Sequence, residues 1–371
     1  MYIYQQPTWP AFTWRPERLE PLLGAVRHQQ GRVLGHMQAL GFSLQAEALL
    51  QTLTLEALKS SEIEGELLPS EQVRSSLARR LGIEVAGLVP AERRVEGMVD
   101  MLLDATQAFA EPLTAERLCS WQAALFPAGR SGLQRIQVGA WRTGAKGPMQ
   151  VVSGPLGREQ VHFEAPPADE VAAHMAQFLT WFNTALPLDA VLKAGIAHLW
   201  FVTIHPFEDG NGRVARALTE LQLARADASA QRFYSLSAQL RLERNAYYAQ
   251  LEAAQKGDLD ITPWLDWFLG CLGRALQATE QTLAKVLTKA RFWEQHATFP
   301  FNARQQRLLN QLLDGFEGKL TSSKWATIAK CSQDTATRDI QVLLDQGILV
   351  KEAAGGRSTS YRLANETVGY G

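Results

Sequence analysis

A cluster of residues with chemically useful side chains occupies positions 205–216, where the sequence reads His-Pro-Phe-Glu-Asp-Gly-Asn-Gly-Arg-Val-Ala-Arg. His205 has the side chain best suited to act as a general base near neutral pH. Asp209 supplies a hard carboxylate oxygen, the kind of ligand that Mg²⁺ prefers when it bridges substrate phosphates. Arg213 and Arg216 stand three residues apart, hence on one helical face, and their planar guanidinium groups suit phosphate oxygens. These residue types together predict a site for a phosphorylated ligand.

The glycines of this segment predict how the site is shaped. Gly210 and Gly212 flank Asn211 in a tight turn, and a helix is predicted to begin at Arg213. Successive backbone N–H groups at such a turn point into one space and attract an anion. An apolar helix over 191–204 leads into the segment and is ended by the proline that follows it.

Other interpretations of the same glycines are weaker. Gly210, Gly212 and Ala215 also fit the G-x-G-x-x-A dinucleotide pattern, but no strand precedes them, so the context of that motif is missing. A G-x-x-x-x-G-K-[ST] phosphate loop is absent from the sequence. The remaining alternative is a helix N-terminus with incidental charges.

Apolar residues at helical spacing dominate the chain and predict a mainly α protein. Glycine and proline interrupt the region from 65 to 90, which predicts broken helices there. Two short β-type runs, 149–152 and 161–163, enclose a turn cluster at 153–157 and predict a β-hairpin, with an irregular loop as the alternative. Helices are predicted over 19–37, 46–58, 91–109, 114–126, 168–183, 189–204, 239–255 and 262–294.

The C-terminal part has the element order of a winged helix-turn-helix. Helices are predicted over 303–313, 322–329 and 333–346, followed by strands at 349–352 and 360–363. The net charge of 303–371 is +2, which is modest for a protein that binds DNA. Side chains that could reach base edges or phosphates are Gln333, Thr335, Thr337, Arg338 and Arg357. The alternative is a module for protein–protein contact or dimerisation.

Composition excludes several protein classes. A length of 371 residues predicts two or three domains, and a net charge of −1 disfavours a strongly basic nucleic-acid coat. Three scattered cysteines suit a reducing compartment and argue against a disulfide framework. The first residues lack the pattern of a signal peptide, and the most apolar stretch, 190–204, is too short for a membrane span. We therefore expect a cytoplasmic protein without membrane contact.

Segment 205–216 resembles the signature of the Fic family, H-P-F-x-[D/E]-G-N-G-R-x-x-R, at every defining position. The resemblance spans roughly residues 1–290 and includes Trp141-Arg142, 234–237, 247–248 and the aromatic segment 9–14. It implies a Fic-type helical bundle with a β-hairpin flap, preceded by an N-terminal helical domain. The expected boundaries are 1–90 for the N-terminal domain, 91–295 for the Fic catalytic domain and 302–371 for the winged helix.

The resemblance implies a protein adenylyltransferase, which moves AMP from ATP to a Ser, Thr or Tyr hydroxyl of a target protein with Mg²⁺ as cofactor. His205 would deprotonate the hydroxyl, and Asp209 would hold Mg²⁺ against the α- and β-phosphates. Arg213 would bind the β-phosphate and Arg216 the γ-phosphate.

The resemblance assigns further residues. Leu242 corresponds to the family position that lines the adenine pocket, and His198 is expected to be a core histidine. The flap, expected to hold the target backbone by strand addition, comprises Met149, Gln150, Val151, Val152 and Ser153. Nucleotide binding is assigned to Gly210, Asn211, Gly212, Arg213, Val214, Ala215 and Arg216, although Fic proteins commonly have Thr-Gly at 214–215.

An upstream segment matches the family's inhibitory pattern, [S/T]-x-x-x-E-[G/N], at Ser60, Glu64 and Gly65. The resemblance implies that Glu64 reaches Arg216 and occupies the guanidinium group that the γ-phosphate needs. The alternative is a capping box from Ser61 to Glu64 at the start of a helix.

Three other functions remain open at this stage. The chain could remove AMP from a modified protein, or it could be a DNA-binding regulator whose Fic core only senses a nucleotide. A third alternative, transfer of a different phosphoryl-linked group, is disfavoured by Arg213. The sequence does not reveal the target protein, and it leaves the oligomeric state open, a homodimer included.

Overall fold

A computed structural model describes residues 1–39, 41–84, 87–154, 158, 160–313, 318–352 and 359–364. The described chain is mainly helical, as predicted. It divides into two compact units, Met1–Thr279 and Glu280–Gly371. Within the described ranges, no helix combines the length and the apolar character that a membrane span requires.

The helices and strands are numbered in chain order. The α-helices are α1 Pro16–Gln38, α2 Phe42–Ile63, α3 Ser70–Leu81, α4 Arg93–Gln107, α5 Ala115–Leu125, α6 Val171–Asn183, α7 Ala190–Ile204, α8 Asn211–Asp227, α9 Leu236–Leu242, α10 Arg244–Gln255, α11 Thr262–Gln295, α12 Ala303–Leu313, α13 Ser322–Ala329 and α14 Gln333–Asp345. The strands form three antiparallel pairs: β1 Arg130–Ser131 with β2 Gln134–Arg135, β3 Gln150–Ser153 with β4 Gln160–Glu164, and β5 Leu349–Lys351 with β6 Tyr361–Leu363.

Helices α7 and α8 form the centre of the first unit and pack against each other. Every residue of α7 after the first is buried, which explains why this helix is apolar all round. Its buried cation, Lys193, donates to the carbonyl of Thr184 at 2.8 Å. Helix α7 ends at His205, and a short turn connects it to α8.

Helix α2 is longer than predicted, and its end supplies the residues of the upstream motif. It runs to Ile63, Glu64 is its C-cap, and Gly65 follows in the left-handed region at φ 81°. Glycine adopts this conformation without steric cost, which is why it commonly follows a helix. Because α2 ends here and no helix begins at Ser61, the capping-box alternative is wrong.

The region expected to contain broken helices holds one short helix, α3, which has Pro69 as its N-cap and is followed by Gly82 in the left-handed region. Another prediction differs from the structure. The single helix predicted over 239–255 is divided into α9 and α10 at Glu243, whose backbone leaves helical geometry at φ −101° and ψ 24°. The carboxylate of Glu243 is held there by Arg274 of α11, with both oxygens at 2.6 Å.

Strands β3 and β4 confirm the predicted hairpin. Gln150 pairs with Glu164 and Val151 with Phe163, and the register then shifts so that Val152 pairs with Val161. The residues 155–157 of the predicted turn lie outside the described residues. The short hairpin of β1 and β2 was not predicted.

In the described residues after 302, helices α12, α13 and α14 and then the strand pair of β5 and β6 follow in the predicted order. Helices α12, α13 and α14 and strands β5 and β6 surround a core that includes the fully buried Trp325. The hydroxyls of Thr321 and Ser332 cap α13 and α14. The connection 353–358, which includes Arg357, lies outside the described residues. The assignment of this unit as a winged helix-turn-helix stays a prediction.

Candidate active site

The turn between α7 and α8 is fixed from inside by Asn211. The side-chain oxygen of Asn211 accepts from the N–H of Phe207 at 2.9 Å, and its amide nitrogen donates to the Phe207 carbonyl at 2.8 Å. Both ends of the buried amide are therefore occupied. The amide therefore holds the loop in shape, and the assignment of Asn211 to nucleotide binding stays a prediction.

Gly210 is required by the geometry of the turn, whereas Gly212 lies against a side chain from another segment. Gly210 has φ 89°, and a Cβ atom there would lie 2.9 Å from the ring of Phe126. A Cβ atom on Gly212 would lie 2.1 Å from Oε1 of Glu64. A carboxylate thus lies against the exposed backbone at the N-terminus of α8, where a helix attracts anions.

His205 adopts the left-handed backbone conformation at φ 51°, which is uncommon for a residue with a side chain. Its ring is half-buried, and Nδ1 lies 3.2 Å from the carbonyl of Val202. This contact assigns the proton to Nδ1 and leaves the lone pair on Nε2. Burial lowers the pKa of His205 below its usual value, although the hydrogen bond to Val202 opposes the shift. The imidazole is therefore neutral at pH 7 and able to accept a proton.

Arg142 braces the backbone on which His205 stands. Its buried guanidinium group donates to the carbonyls of His205 at 2.8 Å and Pro166 at 2.5 Å. The backbone N–H of Arg142 donates to the Pro206 carbonyl at 2.8 Å. Arg142 belongs to the part of the sequence that resembles the Fic family, but the resemblance assigns it no role. Arg142 thus links the backbone of His205 to Pro166, in the segment that follows β4.

Two adjacent carboxylates in the turn have different partners. Asp209 accepts from the hydroxyl of Ser131 and, at 2.5 Å, from the N–H of Gly210. Glu208 is paired with the ammonium group of Lys146 and accepts from the N–H of Gln137 at 3.1 Å. Because Glu208 already has a cation, Asp209 is the carboxylate of this turn that is suited to a metal ion.

The two arginines of the motif are buried on α8. Arg213 lies with its guanidinium carbon 4.9 Å from the ring centre of Phe126, and Arg216 donates to the hydroxyl of Ser60 at 2.8 Å and to its carbonyl at 2.7 Å. Among the described residues, Nε of Arg213 and Nη1 of Arg216 have no hydrogen-bond partner. Buried guanidinium N–H groups without a partner suit phosphate oxygens.

Each arginine is covered by one carboxylate from the segment after α2. Oε1 of Glu64 lies 2.9 Å from Nη2 of Arg216, and Oε2 of Glu66 lies 2.5 Å from Nη1 of Arg213. The structure thus brings Ser60 and Glu64 to Arg216. Glu66 was not singled out in the sequence, because it lies outside the inhibitory pattern and 147 positions from its partner.

The remaining predicted residues divide into buried and exposed groups. The side chains of Val214 and Ala215 are fully buried, so only the backbone of these residues is left for the predicted nucleotide contact. Leu242 is 80% exposed and follows Arg241, which pairs with Glu62 at 3.0 Å. The side chain of Leu242 therefore lies open beside the end of α2.

The flap residues and His198 have defined surroundings. Met149 precedes β3, and the hydroxyl of Ser153 lies 2.6 Å from Nε2 of His162, whose Nδ1 is 2.8 Å from Glu252. This chain of contacts ties the flap to α10. His198 is a core histidine, as expected: its ring nitrogens lie 2.9 Å from the hydroxyl of Thr219 and 2.7 Å from that of Tyr247, and burial lowers its pKa to about 3.

Comparison with known families supports the resemblance of segment 205–216 to the Fic signature. The family model described as "Fic/DOC family" matches residues 112–223. A second one, described as "Domain of unknown function (DUF4172)", matches residues 2–83.

Curated relatives are similar over about a third of the chain. "Protein adenylyltransferase Fic" of Drosophila yakuba is 34% identical over 131 residues, which are 34% of this chain and 25% of the relative. "Protein adenylyltransferase fic-1" of Caenorhabditis briggsae is 34% identical over 114 residues, 29% of this chain and 21% of the relative. The chain thus matches only about a quarter of the length of these relatives.

Solved structures share the fold. A Fic family protein from Desulfovibrio desulfuricans has a TM-score of 0.53 at 22% identity, with 96% of this chain and 99% of that chain covered. A Fic domain containing signaling protein from Bacteroides thetaiotaomicron has a TM-score of 0.50 at 21% identity, with 72% and 97% covered.

Proposed function

The chain carries a Fic/DOC-family domain at residues 112–223, and from this premise we propose that it transfers AMP from ATP to a Ser, Thr or Tyr hydroxyl of a target protein. The observation that carries the proposal is one glycine turn with a neutral imidazole at its start and two buried guanidinium groups after it. Similarity to proteins named adenylyltransferases supports ATP as substrate and a protein as acceptor.

The chemical step follows from the lone pair on His205. Nε2 accepts the proton of the target hydroxyl while the hydroxyl oxygen attacks the α-phosphorus of ATP in line. The new bond joins that oxygen to the phosphorus, the bond to the β-phosphate oxygen breaks, and pyrophosphate leaves. Backbone N–H groups of the turn and the guanidinium groups of Arg213 and Arg216 bind phosphate oxygens, where negative charge accumulates.

The residues present fit a magnesium ion that shares its ligands with the substrate. Asp209 offers a hard carboxylate, and Ser131 orients it by a hydrogen bond. No group of three or more metal-ligating side chains occurs in the described residues, so phosphate oxygens and water would have to complete the shell, as Mg²⁺ commonly requires. When bound, the ion would neutralise charge on the α- and β-phosphates.

We also propose that the described arrangement is an inhibited one. The carboxylate of Glu64 lies on the guanidinium group that the γ-phosphate is proposed to use and against Gly212. A triphosphate bound beside it would meet like charge and lose one arginine, which disfavours the in-line pose.

The proposed function is tested by following the label of ATP. The Glu64→Gly variant is incubated with a cell lysate and with ATP labelled at either the α- or the γ-phosphate. Compared with lysate alone, we expect additional labelled protein from α-labelled ATP only, because AMP keeps the α-phosphate and pyrophosphate carries the γ-phosphate away. Chelation of Mg²⁺ by EDTA should abolish the label.

Other outcomes identify the alternatives. Label from γ-labelled ATP in excess of that in lysate alone would indicate phosphate transfer by the variant and contradict the proposal. Loss of AMP from a previously modified protein, without transfer from ATP, would support removal of AMP as the activity. Nucleotide binding without any adduct would favour a nucleotide sensor.

For the second unit we propose contact with DNA through α14, because Gln333, Thr337 and Arg338 are exposed on this helix. In the full chain, Arg338→Ala should weaken binding to duplex DNA and reduce the slope of log affinity against log salt by about one. Fluorescence anisotropy with labelled genomic fragments measures both, and Arg307→Ala, on α12, is the matched control. Absence of binding at low salt would instead favour a protein-interaction module.

A further inference from the structure

A second carboxylate occupies the other arginine of the site. Oε2 of Glu66 lies 2.5 Å from Nη1 of Arg213, and the side chains are 28% and 8% exposed. Contact at this distance between two largely enclosed groups excludes a phosphate oxygen from the same N–H. Glu66 therefore occupies Arg213 in the same way that Glu64 occupies Arg216.

We propose that Glu66 is a specificity-determining residue which, together with Glu64, sets how many phosphates a bound nucleotide carries. The inference rests on the proposed function, because it assigns the β-phosphate to Arg213 and the γ-phosphate to Arg216. With both carboxylates in place, AMP has no phosphate to place on either arginine and competes with neither carboxylate. The β-phosphate of ADP competes with Glu66, and ATP competes with both glutamates.

The turn after α2 fixes the backbone of both glutamates. The N–H groups of Glu64 and Glu66 both donate to the carbonyl of Ser61, at 3.1 and 3.0 Å. Gly65 lies between them in the left-handed conformation, and its N–H donates to the Glu62 carbonyl at 3.0 Å. Because the backbone is fixed by these bonds, each carboxylate leaves its arginine by rotation of its own side chain, and the two respond separately to the two phosphates.

Glu66 has a second cation beside it. Its other oxygen, Oε1, lies 3.8 Å from Nη1 of Arg94, whose side chain is 42% exposed and also pairs with Glu92 at 2.8 Å. When a phosphate takes Arg213, Glu66 keeps this partner and is not left as an isolated charge. Arg94 therefore favours release of Arg213, and its removal should have the opposite effect to removal of the Glu66 charge.

The experiment compares the affinities of AMP, ADP and ATP by calorimetry on the full chain with Mg²⁺. Glu66→Gln keeps the size of the side chain and removes its charge, and we expect ADP and ATP to bind about tenfold more tightly, the effect of one competing charged hydrogen bond. AMP affinity should not change. Glu64→Gln should raise the affinity for ATP more than that for ADP.

Arg94→Gln provides the test in the opposite direction. The affinities for ADP and ATP should fall about threefold. Without Arg94, Glu66 is paired with Arg213 for a larger fraction of the time, so the binding-competent fraction of the protein falls. Glu47→Gln is the matched control, since it removes the exposed pair between Glu47 of α2 and Arg74 of α3 and should alter none of the three affinities.

Several results would overturn the inference. Equal changes for AMP, ADP and ATP in Glu66→Gln would indicate a general structural effect, and no change would mean that Glu66 does not compete with phosphate. If Glu66→Gln does not fold, an unchanged ADP affinity in Arg94→Gln overturns it. If Glu64→Gly transfers AMP while Glu66→Gln binds ADP like the parent chain, the inference about Glu66 is wrong and the proposed function still holds. Absence of nucleotide binding in every variant would contradict the proposed function as well.

Discussion

The His205→Ala variant is expected to transfer AMP about 10²–10⁴-fold more slowly than the same chain with His205, because it loses its general base. ATP should bind with nearly unchanged affinity, since the turn, Arg213 and Arg216 all remain. The comparison is made in the Glu64→Gly background, where transfer is fast enough to follow. Rates come from the appearance of AMP-modified protein, and affinities from calorimetry.

The control for this variant is His174→Ala, which removes a histidine of α6 that pairs with Glu170 at 3.5 Å. It should transfer AMP at the parent rate. If His205→Ala also transfers at the parent rate, His205 is not the base. If it instead loses ATP affinity in proportion to its rate, the residue serves to shape the turn.

The pH profile gives an independent check on the same residue. A general base works only when it is deprotonated, and burial lowers the pKa of His205 from its ordinary value of 6.5. Transfer should therefore persist at pH 6.5 and fall only at lower pH, as the imidazole becomes protonated. An acidic limb at or above pH 6.5 in kcat/KM would contradict this assignment.

The mainly α fold, the hairpin and the turn within segment 205–216 could be predicted from the sequence because these depend on local patterns. Apolar spacing defines helices, and glycines and prolines define the turns. The motif residues are close in sequence, so the turn alone brings His205, Asp209 and the two arginines together. The contact of Glu64 with Arg216 was anticipated through the family resemblance.

The details that sequence reasoning missed are contacts between distant segments. Ser131 reaches Asp209 across 78 positions, and Glu66 reaches Arg213 across 147. The contacts of Asn211 with the N–H and the carbonyl of Phe207 are local, but several partners lie within reach of a short amide in a tight turn, so the spacing does not identify the partner. Periodicity and spacing within one segment carry no signal for such contacts.

Glu64→Gly is expected to increase AMP transfer by about 5- to 150-fold, the range of a typical coupling free energy between two states of a site. The reason is the position of its carboxylate, 2.9 Å from Nη2 of Arg216 and against Gly212. Removal frees a guanidinium group for the γ-phosphate. Arg216 keeps its two hydrogen bonds to Ser60, so the fold should lose little stability and the melting temperature should fall only slightly.

A double-mutant cycle separates inhibition from a general effect of the substitution. Arg216→Ala alone should reduce transfer, and Glu64→Gly combined with Arg216→Ala should not show the gain, because the released group is absent. The two effects should therefore be strongly non-additive. Glu62→Gly is the matched control: it changes the same end of α2, but Glu62 pairs with Lys59 and Arg241 at 2.5 and 3.0 Å and not with Arg216. Equal activation by Glu62→Gly, or a gain that survives in the double variant, would mean that loosening of the α2 terminus activates the chain and that the Glu64–Arg216 pair does not inhibit it.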